Sequence, residues 1–294
     1  MNSTPAHAEA EIATRDLRYS DQDTPLTGYL CWNPAPGRPA PGVLLIHGGA
    51  GLDDHARQQA RRYAALGYTV LAADMYGDGV AGDRERVMTA LLALRDDPAA
   101  LVRRGAAGLT ALAACPETAG PETAGPETAG PATAGPRTAG PHTAGPHTAG
   151  RETAAPGLAA VGFCFGGLAA LALARSGQAD LAAVVTMHGS LATATPAAPG
   201  AVGARLLVCH GAQDPHVPMT DVTAFAAEMT AAGADWQVNM YGSAMHGFTH
   251  QHAAPGAQPG VAYDLTADKR SFAAASDFLA AALLGRRPYS QSSR

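Results

Sequence analysis

Gly162-Phe163-Cys164-Phe165-Gly166-Gly167 follows directly on the apolar run Leu158-Ala159-Ala160-Val161. A short apolar run that ends at a glycine-flanked residue and leads into small residues reads as a strand, a sharp turn and a helix start. Gly162 and Gly166 leave room for the chain to bend tightly around Cys164. At the apex of such an elbow a side chain is lifted above the sheet, where the amide of the next residue can help hold an oxyanion. A cysteine in that place is a candidate thiol nucleophile. The competing reading is a buried cysteine beside a helix-start glycine pair, and six residues alone leave both open.

Outward from the elbow, strand and helix signals alternate. Upstream, Val43-Leu44-Leu45-Ile46 is a continuous β-rich run of the kind buried on both faces of a sheet, ending in His47-Gly48-Gly49. Strands are also predicted near Ile12 to Tyr19, over Leu26 to Trp32 and over Thr69 to Ala73. A helix fits His55 to Leu66, with Asp53 or Asp54 as its cap and Gly67 as its stop. Further helices fit Arg84 to Leu94 and Pro98 to Ala114. Downstream, Phe165 to Ser176 reads as a small-residue helix. Ala182 to Met187, Arg205 to Cys209 and Trp236 to Tyr241 read as strands, with helices over Met219 to Ala232 and Ala267 to Leu284. Such alternation predicts an α/β fold, with a mostly parallel central sheet and helices on both faces in a single domain. Ligands on these sheets bind at the carboxyl ends of the strands.

Pro116 to Gly150 breaks the pattern, being built of five-residue units Pro-x-Thr-Ala-Gly in which x is Glu, Ala, Arg or His. It offers no bulky apolar side chains and fits neither collagen nor a packed solenoid. We expect residues 1–115 and 151–294 to form one domain and 116–150 to be a disordered low-complexity insertion. His142 and His147 in this tract have no carboxylate or cysteine beside them, so no metal site is expected there.

Composition narrows the classes of function. Hydrophobic residues are 47% of 294, ample for a core, and the net charge of -5 disfavours a nucleic-acid surface. No apolar stretch approaches a membrane span, and the N-terminus carries no secretory signal pattern, so a cytoplasmic protein without membrane contact is expected. The four cysteines, Cys31, Cys115, Cys164 and Cys209, lie far apart with no CxxC pair, which indicates neither a zinc framework nor a disulfide scaffold. Cys31 and Cys209 lie in strand-like runs and read as small core residues.

A nucleophile needs a base, and the base an orienting partner. Downstream of Cys164, Asp214 follows a strand and a glycine turn flanked by Pro215 and Pro218, and His246 follows the last strand. Singly, Asp214 could be a turn cap and His246 an exposed loop histidine. Together the three stand in the order nucleophile, acid, histidine, each beyond the carboxyl end of a predicted strand, which favours catalysis.

These stretches resemble the dienelactone hydrolase family of α/β-hydrolases. The resemblance rests on Gly162 to Gly167, Cys209 to Pro218 (CHGAQDPHVP), Tyr241 to Thr249 (YGSAMHGFT), Ala262 to Arg270 (AYDLTADKR) and Leu66 to Gly79 (LGYTVLAADMYGDG). It implies an α/β-hydrolase fold and a cofactor-free hydrolase of small esters or lactones, with the substrate as its small-molecule partner and a monomeric or small homo-oligomeric state. By resemblance Cys164 attacks the carbonyl, His246 moves the proton and Asp214 orients His246. The amides of Gly49 and Phe165 are expected to form the oxyanion hole. Two positions depart from the family pattern. Gly48 stands where the family has a glutamate that helps release the thiol, and should widen the pocket instead. His250 stands where dienelactone hydrolases have an arginine for the substrate carboxylate, and it lacks that planar fork. Arg84 and Arg86 are the other cations considered for that task. The alternatives are a serine esterase using Ser190, which lacks an elbow, and a catalytically inert scaffold that binds a small ligand or a partner.

Overall fold

The computed structural model describes residues 11–34, 40–118 and 157–284. Most of the repeat tract, from residue 119 on, lies outside them. The chain runs β1 (Ala13–Asp21), β2 (Thr24–Trp32), β3 (Gly42–Ile46), α1 (Asp54–Ala64), β4 (Thr69–Ala73), α2 (Arg84–Asp96) and α3 (Pro98–Ala113). It continues through β5 (Leu158–Phe163), α4 (Phe165–Arg175), β6 (Leu181–Met187), β7 (Arg205–Gly211), α5 (Met219–Ala231), β8 (Trp236–Tyr241) and α6 (Leu265–Leu283).

The eight strands form one sheet in the order β1-β2-β4-β3-β5-β6-β7-β8. β1 and β2 pair antiparallel, as do β2 and β4, and every other neighbouring pair is parallel. The buried runs read from sequence are the inner parallel strands: all five residues of β3 and of β4 are buried, and all six of β5. Alternate residues feed two separate cores, because successive side chains on a strand point to opposite faces. Leu44 and Ile46 pack with Leu101, Leu109 and Leu171 under α3 and α4, together with residues of α2 and α5. Val43 and Leu45 pack on the other face with Ala60, Tyr63 and Leu279 of α1 and α6. Each such side chain contributes about 1.5–3 kcal/mol by leaving water. A run apolar on both faces therefore fixes its strand at the centre of the sheet.

Helix boundaries follow local chemistry. The Asp53 carboxylate accepts the Ala56 N–H and starts α1, Asp97 does the same for α3 ahead of Pro98, and Asp264 caps α6. That last cap starts α6 at Leu265, two residues before the helix expected at Ala267. Among the described residues no helix is long and apolar enough to cross a membrane. With β3, β5, β6, β7 and β8 parallel, their carboxyl ends share one edge of the sheet, and the loops carrying Gly49, Cys164, His188, Asp214 and His246 meet there.

Candidate active site

Cys164 sits between β5 and α4 with φ 52° and ψ −114°, a left-handed backbone that a non-glycine residue adopts at a cost on the order of 1–3 kcal/mol. The elbow can close because its flanks carry no Cβ. One at Gly162 would lie 2.0 Å from the Gly166 carbonyl oxygen, and one at Gly166 would lie 2.1 Å from that of Ile46. Hydrogen bonds hold the strained turn: Cys164 N–H donates to Met187 O at 3.1 Å, and Gly167 N–H donates to Cys164 O at 3.0 Å.

The His246 Nε2 lies 3.0 Å from the Cys164 Sγ, and its Nδ1 lies 2.8 Å from Asp214 Oδ2. The other carboxylate oxygen, Oδ1, accepts the N–H groups of His216 and Val217 at 2.8 and 3.1 Å. Asp214 is thereby fixed by its own turn, and it fixes the imidazole in turn. The two carboxylate oxygens of Asp214 thus divide their contacts, one accepting from its own turn and the other meeting His246.

Burial opposes every charge in this set, and the partners outweigh it. Burial pushes the Cys164 thiol up, but the hydrogen bond and charge of His246, with the amides of Phe165 and Gly49, bring it below its ordinary value. Burial disfavours the His246 imidazolium, yet Asp214 and Cys164 raise it to about 10. Desolvation would raise Asp214 as well, and His246 with the amides of His216 and Val217 hold it below the usual carboxylate range.

The amides of Phe165 and Gly49 thus both face the Cys164 sulfur. The loop bearing Gly49 is held from below by His47. The His47 Nε2 accepts the Met75 N–H at 3.2 Å, which leaves the proton on Nδ1 to be donated to Gly48 O at 2.7 Å. Tyr76 OH donates to Gly49 O at 3.1 Å. Gly48 itself is buried behind the pocket wall, and its Cβ direction points between Cys164 Cβ and His250 Nε2, each 3.7 Å away. The thiol has its contacts with His246 and the two amides without any side chain at position 48.

A cavity of about 890 Å³ opens above the cysteine. Its walls come from the Gly49–Ala50 loop, from Asp53, Asp54, His55 and Gln58 at the start of α1, and from Met88 and Leu91 of α2. His188, His246 and His250 close it, with Gly247 and the segment leading to Val261. His250 therefore faces the site, stacked on His55 with ring centroids 3.6 Å apart. Neither Arg84 nor Arg86 lines the cavity, and Arg86 donates instead to Gly79 O at 2.9 Å. His246 is bonded to Cys164, while Ser190 meets the elbow through its backbone, its N–H 3.4 Å from Cys164 O. Cys31 and Cys209 are fully buried, and burial pushes each thiol up to about 12. Among the described residues no group of three or more histidine, cysteine or acidic side chains is placed to hold a metal ion.

His55, His188 and Thr249 enter the site without having been read as part of it. The His188 ring packs edge-on against His246, 5.3 Å between centroids, and its Nε2 lies 2.9 Å from Thr249 Oγ1. A signal existed: β3, β6 and β7 each run into a His-Gly pair, at 47–48, 188–189 and 210–211.

A model of the dienelactone hydrolase family matches residues 26–123 and 148–283. The solved structure of m3DLH is 36% identical, with a TM-score of 0.75 and coverage of 92% of this chain and 99% of its own. A dienelactone hydrolase-like promiscuous phosphotriesterase, P91 from metagenomic libraries, is 34% identical with a TM-score of 0.75, covering 92% and 98%. An uncharacterized Caenorhabditis elegans protein is 40% identical over 124 residues, which are 40% of this chain and 75% of that protein.

Proposed function

The chain belongs to the dienelactone hydrolase family of α/β-hydrolases, hydrolases of ester and lactone bonds, and from that premise we propose that it works through Cys164 as a covalent nucleophile. The observation that carries the proposal is His246, bonded through one ring nitrogen to Cys164 Sγ and through the other to Asp214. An imidazole so placed takes the thiol proton, and the thiolate attacks the carbonyl carbon of a small ester or lactone. The carbonyl oxygen becomes an oxyanion facing the amides of Gly49 and Phe165, which already face the sulfur. As the intermediate collapses, His246 passes its proton to the leaving alkoxide and a thioester with Cys164 remains. Water then attacks the thioester with His246 as base, releasing the acid and the thiol. In a lactone the leaving alkoxide stays tethered to the acyl group, so one hydroxy acid departs at the end.

Activation in this scheme needs no carboxylate at position 48. The opposed shifts of Cys164 and His246 favour a thiolate–imidazolium pair, and the two amides add to it. A partnered nucleophile under a cavity favours this reading over an inert scaffold, and His246's bond to Cys164 favours it over a Ser190 esterase.

Cys164→Ala should retain the fold by circular dichroism and lose p-nitrophenyl acetate hydrolysis by on the order of 10³-fold or more. Iodoacetamide should label the wild-type protein at Cys164 and block turnover, whereas a fluorophosphonate aimed at serine should leave it active. Retained hydrolysis in the alanine variant overturns the proposal. A phosphate triester belongs in the same substrate panel, because the similar protein P91 is a promiscuous phosphotriesterase.

A further inference from the structure

We propose that this site selects esters carrying no negative charge on either side of the scissile bond, and that the determinant is a cavity wall without a cation, in which the stacked His55–His250 pair holds the place a cation would take. The inference rests on the cysteine-hydrolase reading and names the substrate class of that same site.

Among the described residues lining the cavity there is no lysine or arginine, while two carboxylates, Asp53 and Asp54, face it at the start of α1. The positive end of that helix is no anion cradle, because the Asp53 carboxylate already accepts the Ala56 N–H at 3.0 Å. Across from it, α2 contributes only Met88 and Leu91 to the wall. The remaining ionisable groups facing the cavity are Cys164, His246, His188 and the exposed His252. Of these, Cys164 and His246 are each other's counter-charge.

Where a cation could have stood, the structure holds two imidazoles face to face, 18° from coplanar with centroids 3.6 Å apart. The stack is pinned from its far side. Thr249 Oγ1 lies 3.2 Å from His55 Nε2 and 2.9 Å from His188 Nε2, and Gln59 Nε2 lies 3.4 Å from the same His55 nitrogen. Two rings this close cannot both carry a proton's charge in a part-buried site. Burial, then the charge of its neighbour His250, pushes His55 down to about 3, and burial lowers His250 as well. The pair therefore contributes uncharged imidazole to the cavity wall. An incoming carboxylate meets two aspartates and no compensating cation, losing hydration that nothing in the wall replaces.

The test uses a matched pair, 4-nitrophenyl methyl glutarate and 4-nitrophenyl hydrogen glutarate, assayed near pH 8, where free imidazole is neutral. Rates are corrected with the Cys164→Ala protein. The neutral ester should be favoured by about tenfold or more in kcat/KM, and raising salt from about 0.02 to about 0.5 M should narrow that ratio severalfold. His250→Arg should narrow it by about tenfold through KM for the charged ester, while His250→Gln, which adds no charge, should leave it unchanged. Should the arginine variant not fold, the wild-type ratio and its salt dependence still decide. Equal turnover of the two esters, or a ratio indifferent to salt, overturns the inference alone. Absence of turnover with both esters would instead overturn the cysteine-hydrolase reading beneath it.

Discussion

At the scale of single residues, reactivity here comes down to which force on one sulfur is larger. Burial alone would push the Cys164 thiol above its ordinary value, as it does for Cys31 and Cys209, each pushed up to about 12. His246 and the amides of Phe165 and Gly49 reverse the sign. Thiolate is the reactive form, so the wild-type alkylation rate should fall off at lower pH than it does for an ordinary free thiol, as the depressed thiol value requires. Removing the imidazole leaves burial dominant. His246→Ala should therefore slow iodoacetamide alkylation near pH 7 on the order of 10²-fold and move its pH profile upward. An unchanged profile would mean that His246 does not set the thiol's charge. At high pH the proposed mechanism predicts the reverse limit, because His246, raised to about 10, would lose the proton it hands to the leaving group in that scheme. The meeting of Cys164, Asp214 and His246 was legible in sequence because each, in that order, follows a strand of the same sheet. The His55–His250 stack was not, since it joins the first turn of α1 to the loop after β8, and no local pattern records that meeting.

At the scale of elements, the elbow is where backbone economy and chemistry meet. A Cβ at Gly162 would lie 2.0 Å from the Gly166 oxygen and 2.3 Å from its carbon, and backbone atoms cannot rotate away as a side chain can. Gly162→Ala must open the turn between β5 and α4, lifting Cys164 off the two amides and away from His246. We expect a loss of about 4 kcal/mol or more, read as a fall in melting temperature of about 10 °C, together with loss of esterase activity. The control is Gly203→Ala, where a Cβ meets nothing within 4 Å; it should stay within about 0.5 kcal/mol of wild type. If the two variants melt alike, the elbow is more pliable than its contacts indicate. The elements themselves were legible because their signals are local: β3 and β5 are apolar on both faces, and the cap Asp53 stands directly before α1, whereas the Asp264 cap was passed over and α6 was expected two residues late. What sequence could not show was the order β2-β4-β3-β5, which depends on strand partners far apart in the chain.

At the scale of the whole molecule, the open question is how the α/β core carries the Pro-x-Thr-Ala-Gly tract. The family match stops at residue 123 and resumes at 148, which supports reading the tract as an expansion within an otherwise continuous family chain. The described chain on either side closes on itself. Glu117 pairs with Arg15 at 3.2 Å and accepts the Thr69 hydroxyl at its carbonyl, so the exit from α3 is tied to β1 and β4. A Cβ at Gly42 would lie 2.6 Å from Leu158 Cδ2 and 3.0 Å from Thr118 Cγ2, so Thr118, in the first repeat unit, and the first residue of β5 share one neighbour. With residues 121–154 removed, five residues (119, 120 and 155–157) remain to join them, each spanning up to about 3.3–3.6 Å. Deleting residues 121–154 should therefore leave kcat/KM for a neutral ester within about twofold. A shorter connection also costs less entropy to close, by about 0.6 kcal/mol per halving, so the melting temperature should hold or rise. A fall of more than about 5 °C, or lost turnover with the melting temperature intact, would show that the tract belongs to the working enzyme. The active-site cavity gives the reason to expect neither: among the described residues its walls come from 49–58, 88–91, 164, 188 and 246–261, and none from 116–118 or 157.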